Sequence, residues 1–266
     1  MSIRFEIHGG RLEVVQSFDF PAVYLDQWAI RLFSSDEGLG QRFLRALKRS
    51  GGALVVSHLN LAEVAGPSDP RHAEEAAAFL EGVLPNMYFA MFDIQSAMDQ
   101  EGRRRDVRVR LPAPPDVELL REVGKQWPDD FQPFTIAPVI KVIVAHRDEL
   151  GAVWRESNQR IADQINQVRA DPKTVEQARD FKEHPINLPT RAVMQELLRT
   201  TFLDQSLRIG QNDGGDVQHA ISSIAYCDYV LLDKKWEDLH ERMVRRFVEL
   251  GTPIRLAKVF SKRRVE

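Results

Sequence analysis

The sequence predicts an α/β fold in which helices wrap a central parallel sheet. Three short runs carry that expectation: residues 21–25 (PAVYL), 53–56 (ALVV) and 229–232 (YVLL). Each is apolar throughout rather than alternating, as strands covered on both faces are. The first and the last are followed at once by an acid, Asp26 and Asp233. Open α/β sheets bind ligands at the carboxyl ends of their strands, so chemistry is expected at those two positions.

Along the chain, residues 3–7 and 11–15 alternate apolar and polar around His8-Gly9-Gly10, a hairpin signal. The strand at 21–25 follows, with Phe18 as an alternative start. A helical pattern over 28–49 ends at Gly51-Gly52, and the strand at 53–56 comes next. Ser57 suits the cap of a helix on which Glu63 lies about two turns in. Residues 71–84 form an amphipathic helix after the breaker at 66–70. From 85 the character changes to helical pieces punctuated by proline, with one long helix over 139–170. Gly214-Gly215 read as a break, after which Asp213 or Asp216 caps a helix whose buried face is Ala220, Ile221, Ile224 and Ala225. Asp228 ends it, the strand at 229–232 follows, and residues 236–250 make another helix before a last, edge strand at 252–257. The expected organisation is a core made of 1–84 and 189–266, with 85–188 as a helical insertion. That insertion could serve as a cap, an oligomerisation arm or a substrate lid.

Composition bounds the function. The chain has 266 residues, of which 43% are hydrophobic and 28% charged, ordinary values for a globular protein with a real core. The net charge of −3 argues against an indiscriminate nucleic-acid binder, which needs a basic surface. A single cysteine, Cys227, excludes a disulfide framework and suits a reducing compartment. The first ten residues lack a signal-peptide core, and the apolar stretch 136–145 is broken by Pro138 and Lys141. A cytoplasmic protein without a membrane span is expected.

Two strands ending in Asp, with further acids on the adjoining helices, would direct several carboxylates into one crevice. Like charges that close oppose joint ionisation, and oxygen donors suit hard divalent cations, Mg²⁺ or Mn²⁺. The pattern resembles the PIN-domain ribonucleases. Their four acids fall here on Leu25-Asp26, on Leu61-Ala-Glu63-Val, on Asp216-Val-Gln-His219-Ala220, and on Asp233 of Cys227-Asp-Tyr-Val-Leu-Leu-Asp233-Lys-Lys-Trp236. Asp213 competes with Asp216 as the third acid. Leu231 stands where members often carry a Thr or Ser, and the stretch between Glu63 and the third acid is longer than in compact members.

The resemblance implies a Rossmann-like PIN fold and a divalent-metal-dependent endoribonuclease acting on single-stranded RNA. It makes Asp26, Glu63, Asp216 and Asp233 the catalytic and metal-binding acids, with Asp213 as a further ligand. A homo-oligomer or an inhibitory protein partner is compatible with it. Arg103, Arg104, Arg105 and Arg108 lie in a run of five arginines within eight residues, which suits phosphate contact as well as a solvated loop. Lys234 or Lys235, beside Asp233, could neutralise a phosphate. His219 and Trp236 fit packing roles better than ligand contact. The competing function is a PIN-like module that binds RNA or protein without cleaving; another metal-dependent phosphohydrolase is a third.

Overall fold

The computed structural model describes residues 3–8, 11–66, 69–103, 112–125 and 135–262. The chain opens on the expected hairpin, β1 (Ile3–His8) against β2 (Arg11–Gln16), with Ile3 opposite Gln16 and His8 opposite Arg11. Strand β3 (Ala22–Leu25) and strand β4 (Ala53–Val56) are buried at every position. Between them the expected single helix is two, α1 (Gln27–Ser35) and α2 (Glu37–Ser50). One residue makes the break: the Asp36 N–H closes α1 on the Leu32 carbonyl, while its carboxylate caps α2 by accepting from the Leu39 N–H. Gly51 then ends α2 at φ 67°, a left-handed cap that glycine adopts without penalty.

Helix α3 (His58–Ala65) starts at Ser57, whose hydroxyl and the Asn60 side chain form a reciprocal capping box. Helix α4 (Pro70–Val83) follows, and then strand β5 (Met87–Phe89), for which the sequence carries no strand signal. Helices α5 (Ile94–Arg103) and α6 (Val117–Lys125) come next. The long helix expected over 139–170 is divided at His146 into α7 (Ala137–Ala145) and α8 (Arg147–Ala170). Helices α9 (Pro172–Asp180), α10 (Pro189–Leu203) and α11 (Gln211–Tyr226) lead to strand β6 (Tyr229–Leu231). Helix α12 (Lys234–Glu249) and strand β7 (Lys258–Phe260) complete the described chain. The last strand lies beyond the expected 252–257. Ala257 gives its N–H to the end of α11, at the Ile224 carbonyl, and Phe260 accepts from Leu232.

The fold class is α/β, with a five-stranded sheet of order β5-β4-β3-β6-β7 and, among the described residues, twelve helices. The pairs β3–β4, β3–β6 and β4–β5 are parallel. The strand order therefore runs outward in both directions from β3, which makes the β3–β6 junction the point where α/β sheets open a crevice. Among the described residues no helix is long and apolar enough to cross a membrane.

The chain divides into two compact units. The first comprises Met1–Met91, Ala113–Gly151 and Cys227–Leu231. In it the free side of β5 is closed by Gln16, whose side-chain amide donates to the Phe89 carbonyl (2.9 Å) and accepts from the Phe89 N–H (3.0 Å). A side chain thus does what a neighbouring strand would do for an open edge. Asp228 holds the start of β3 by accepting from the Ala22 N–H at 2.8 Å.

The second unit comprises Phe92–Pro112, Ala152–Tyr226 and Leu232–Glu266. Helix α10 is its centre, packing on α5, α9, α11 and α12. Some of its buried polar residues are gathered in groups. Glu196 takes Arg199 Nε on both oxygens (3.0 and 2.8 Å), with His184 Nε2 at 3.3 Å. Thr190 and Tyr226 both donate to Glu101, whose carboxyl is raised by burial.

Candidate functional site

Asp26 and Glu63 belong to the first unit. Asp26 follows β3 directly, and its N–H donates to the Leu231 carbonyl at 3.0 Å, so it continues the β3–β6 pairing by one step. It is also the N-cap of α1, its Oδ1 accepting from the Gln27 N–H at 2.8 Å. Gln27 reaches across to α3, where its amide donates to the Glu63 carbonyl oxygen at 2.5 Å. One hydrogen bond therefore ties the residue after Asp26 to Glu63.

Asp213, Asp216 and Asp233 belong to the second unit. The expected helix cap at Asp213 or Asp216 is not formed, because α11 already begins at Gln211. Asp213 lies in its first turn and Asp216 one turn on, so the two share a face. Gly214 and Gly215 do not break structure; they lie within α11 and let α8 approach. A Cβ on Gly214 would fall 2.0 Å from the Asn158 carbonyl oxygen, and one on Gly215 2.9 Å from the Asn158 side chain. The same residue type marks both a break and a close approach, and only packing tells them apart.

At the start of α11 and α12, Lys235 pairs with Asp213, and the charges of Asp213 and Asp233 act on Asp216. Asp213 Oδ2 accepts from the Gly210 N–H at 2.7 Å, and its Oδ1 accepts from Lys235 Nζ at 2.5 Å. Lys235 also donates to the Arg208 carbonyl at 2.8 Å. Asp216 is raised from 3.8 to about 6, chiefly by burial. The Trp236 indole N–H lowers it, the charges of Asp213 and Asp233 raise it, and Lys235 lowers it. Asp233 is raised as well, by burial and then by Asp213. It occupies the N-cap position of α12 but makes no side-chain cap hydrogen bond, which leaves its carboxylate to the cluster.

No family model, curated protein or solved structure matches the chain.

The remaining candidates differ in burial and in partners. Lys234 is committed to Glu237 (2.8 Å) and Asp238 (2.7 Å), whereas Lys235 faces the cluster. His219 is buried at 1% exposure, with its ring edge-on to Phe92. Leu231 is buried and pairs with Leu25, so it offers no hydroxyl there. Arg103 is exposed at the end of α5, while Arg104, Arg105 and Arg108 lie outside the described residues. Cys227 is buried and forms no disulfide. A separate groove of about 300 Å³ in the second unit is lined by apolar side chains such as Ile165, Leu198, Phe202 and Ile221, with Asp93 as its one carboxylate. It offers no acid pair.

The donor set of Asp213, Asp216 and Asp233 consists of carboxylate oxygens alone, which fits a hard divalent cation in chemistry and in charge. Among the described residues, however, no three His, Cys, Asp or Glu side chains are gathered closely enough to hold an ion. Lys235 provides the positive charge instead. The sequence named Lys235 only as a lysine near Asp233; its pairing with Asp213 spans 22 residues and depends on how α11 and α12 pack.

Proposed function

We propose that the chain is a PIN-like nuclease that hydrolyses phosphodiester bonds of single-stranded RNA with Mg²⁺ or Mn²⁺. The observation that carries this proposal is the buried carboxyl of Asp216, raised to about 6 chiefly by burial and further by the charges of Asp213 and Asp233. A strand order that reverses at β3, with Asp26 at its carboxyl end, supports it. Asp216 and Asp233 would hold the ion, with Asp213 beside them. Asp26 and Glu63 enter the ligand set from the sequence resemblance alone. When bound, the ion lowers the pKa of a water molecule and neutralises charge on the phosphoryl group.

The chain's own residues prepare that chemistry. Gly210 and Lys235 fix both oxygens of Asp213. Trp236 presents its indole N–H to Asp216 from a site 3% exposed. Burial keeps Asp216 in a medium where its charge acts strongly on whatever cation approaches. A second reading, an RNA- or protein-binding module without cleavage, is favoured by the Lys235–Asp213 pair and by Leu231 in place of a hydroxyl.

Purified protein should cleave single-stranded RNA with Mn²⁺ or Mg²⁺ and be silent in EDTA. Cleavage unaffected by EDTA would refute the metal-dependent mechanism. Saturable RNA binding without cleavage, in either metal, would favour the binding module.

A further inference from the structure

Resting on the phosphodiester hydrolysis proposed above, the geometry points to His58 as the proton donor to the leaving oxygen, with Asp116 as the residue that positions its ring.

Three strands of the first unit bring the pair to one level. Tyr24 of β3 lies opposite Val55 of β4, which lies opposite Tyr88 of β5, and the three strands run parallel. Just past that row stand Asp26 after β3 and His58 after β4. Beside β5 stands Asp116, whose N–H donates to the Phe89 carbonyl at 3.0 Å. All three residues therefore lie at the carboxyl edge of the sheet, where α/β folds take their ligands.

Both members of the pair are anchored. His58 follows Ser57 in the capping box of α3, and Asn60 of that box donates to the Tyr24 hydroxyl at 2.8 Å. Asp116 spends Oδ1 on the Leu119 N–H at 2.9 Å, at the start of α6, and offers Oδ2 to His58 Nδ1 at 3.1 Å. A carboxylate only accepts, so Nδ1 carries the hydrogen and Nε2 is the ring atom that gains and loses a proton. The Asp116 side chain is 5% exposed and the imidazole 42%, and Nε2 has no partner among the described residues. Other histidine–acid pairs lack that combination: His146 and Glu149 are both exposed, and His184 and Glu196 are both buried. A buried acceptor behind an open ring is the arrangement that fixes a histidine for proton transfer.

The step balances with one proton from the ring. Water adds through its oxygen to phosphorus and releases a proton to solvent. The bond from phosphorus to the ribose oxygen breaks, its electron pair staying on that oxygen. The imidazolium Nε2–H gives that oxygen its proton. Asp116 keeps the Nδ1 hydrogen throughout, so solvent reprotonates the neutral ring at Nε2.

Labelling of the full-length protein with diethyl pyrocarbonate in EDTA, read by mass spectrometry, tests the placement without any cleavage. A bound single-stranded RNA oligonucleotide should slow modification of His58 several-fold and leave the exposed His146 unchanged. Cleavage assays with Mn²⁺ test the role. His58→Gln should lower kcat on RNA about 100-fold with KM little changed. It should keep most of its activity on bis(p-nitrophenyl) phosphate, whose nitrophenolate leaves without a proton. Asp116→Asn, which keeps an oxygen for the Leu119 N–H, should show the same selective loss, whereas damage to the fold would lower both substrates alike. His58 labelling unchanged by bound RNA, unimpaired RNA cleavage by His58→Gln, or equal loss on both substrates overturns the proposal and leaves the metal-dependent activity standing. Wild-type protein that cleaves no RNA in either metal overturns both.

Discussion

Asp216→Asn is the substitution that most sharply separates a functional acid from a structural one. Wild-type Asp216 is raised from 3.8 to about 6 by burial and by its acidic neighbours. A carboxyl with a raised folded pKa contributes its full stability below the unfolded value and loses it as pH rises through the folded one. Above about pH 6, then, the ionised group opposes folding. A shift of two units is worth on the order of 2–3 kcal/mol. Asparagine removes the charge, keeps an oxygen for the Trp236 N–H and gives up the attraction of Lys235. We expect a net gain of about 1–2 kcal/mol at pH 7.5, or roughly 2–4 °C in Tm per kcal/mol for a chain of this size. The gain should shrink as pH falls through 6 and vanish below about 3.8. Urea melts of both proteins at pH 7.5 and pH 4, in EDTA, measure it. A loss of 1 kcal/mol or more at pH 7.5 would refute the reasoning and make Asp216 a structural hydrogen-bond partner.

Gly214→Ala should destabilise the second unit by about 1–3 kcal/mol, because the added methyl meets the Asn158 backbone and outweighs the gain in helix propensity. Gly102→Ala, on α5 with nothing within 4 Å, should be neutral or stabilising in the same melts. His240, 7% exposed, is lowered to about 4, chiefly by burial. The unfolded chain therefore takes up a proton on this residue between about pH 6.5 and 4 that the folded chain refuses. Stability should fall by up to about 3 kcal/mol as pH drops through that window. His240→Asn should flatten this fall, in the direction opposite to Asp216→Asn, when urea midpoints are followed from pH 7.5 to 4.

The strands at 53–56 and 229–231 were legible because burial on both faces demands an unbroken apolar run. Strand β5 was not, since three residues inside the longer apolar string around Met87 leave no period to detect. The helix breaks at Asp36 and His146 were hidden for another reason. The apolar stripe continues across each of them, and only the hydrogen bonds of Asp36 show that one residue ends a helix and caps the next. At His146 the N–H closes α7 on the Val142 and Ile143 carbonyls and the carbonyl accepts from the Leu150 N–H, bonds that no residue type announces. In the site, the acids were legible by residue type and by their places after strands and on first turns. The cap expected from Asp213 or Asp216 failed because the helix starts earlier, on Gln211. Lys235 and the Trp236 N–H were invisible as partners, since their roles arise from the packing of two helix starts rather than from any local pattern.

The central claim is that Asp213, Asp216 and Asp233 form a cation site. Anomalous diffraction from crystals soaked in Mn²⁺ tests it most directly. The account predicts a peak within coordination distance of the Asp216 and Asp233 carboxylates. An ordered lattice at saturating Mn²⁺ that shows no peak at these acids would contradict it.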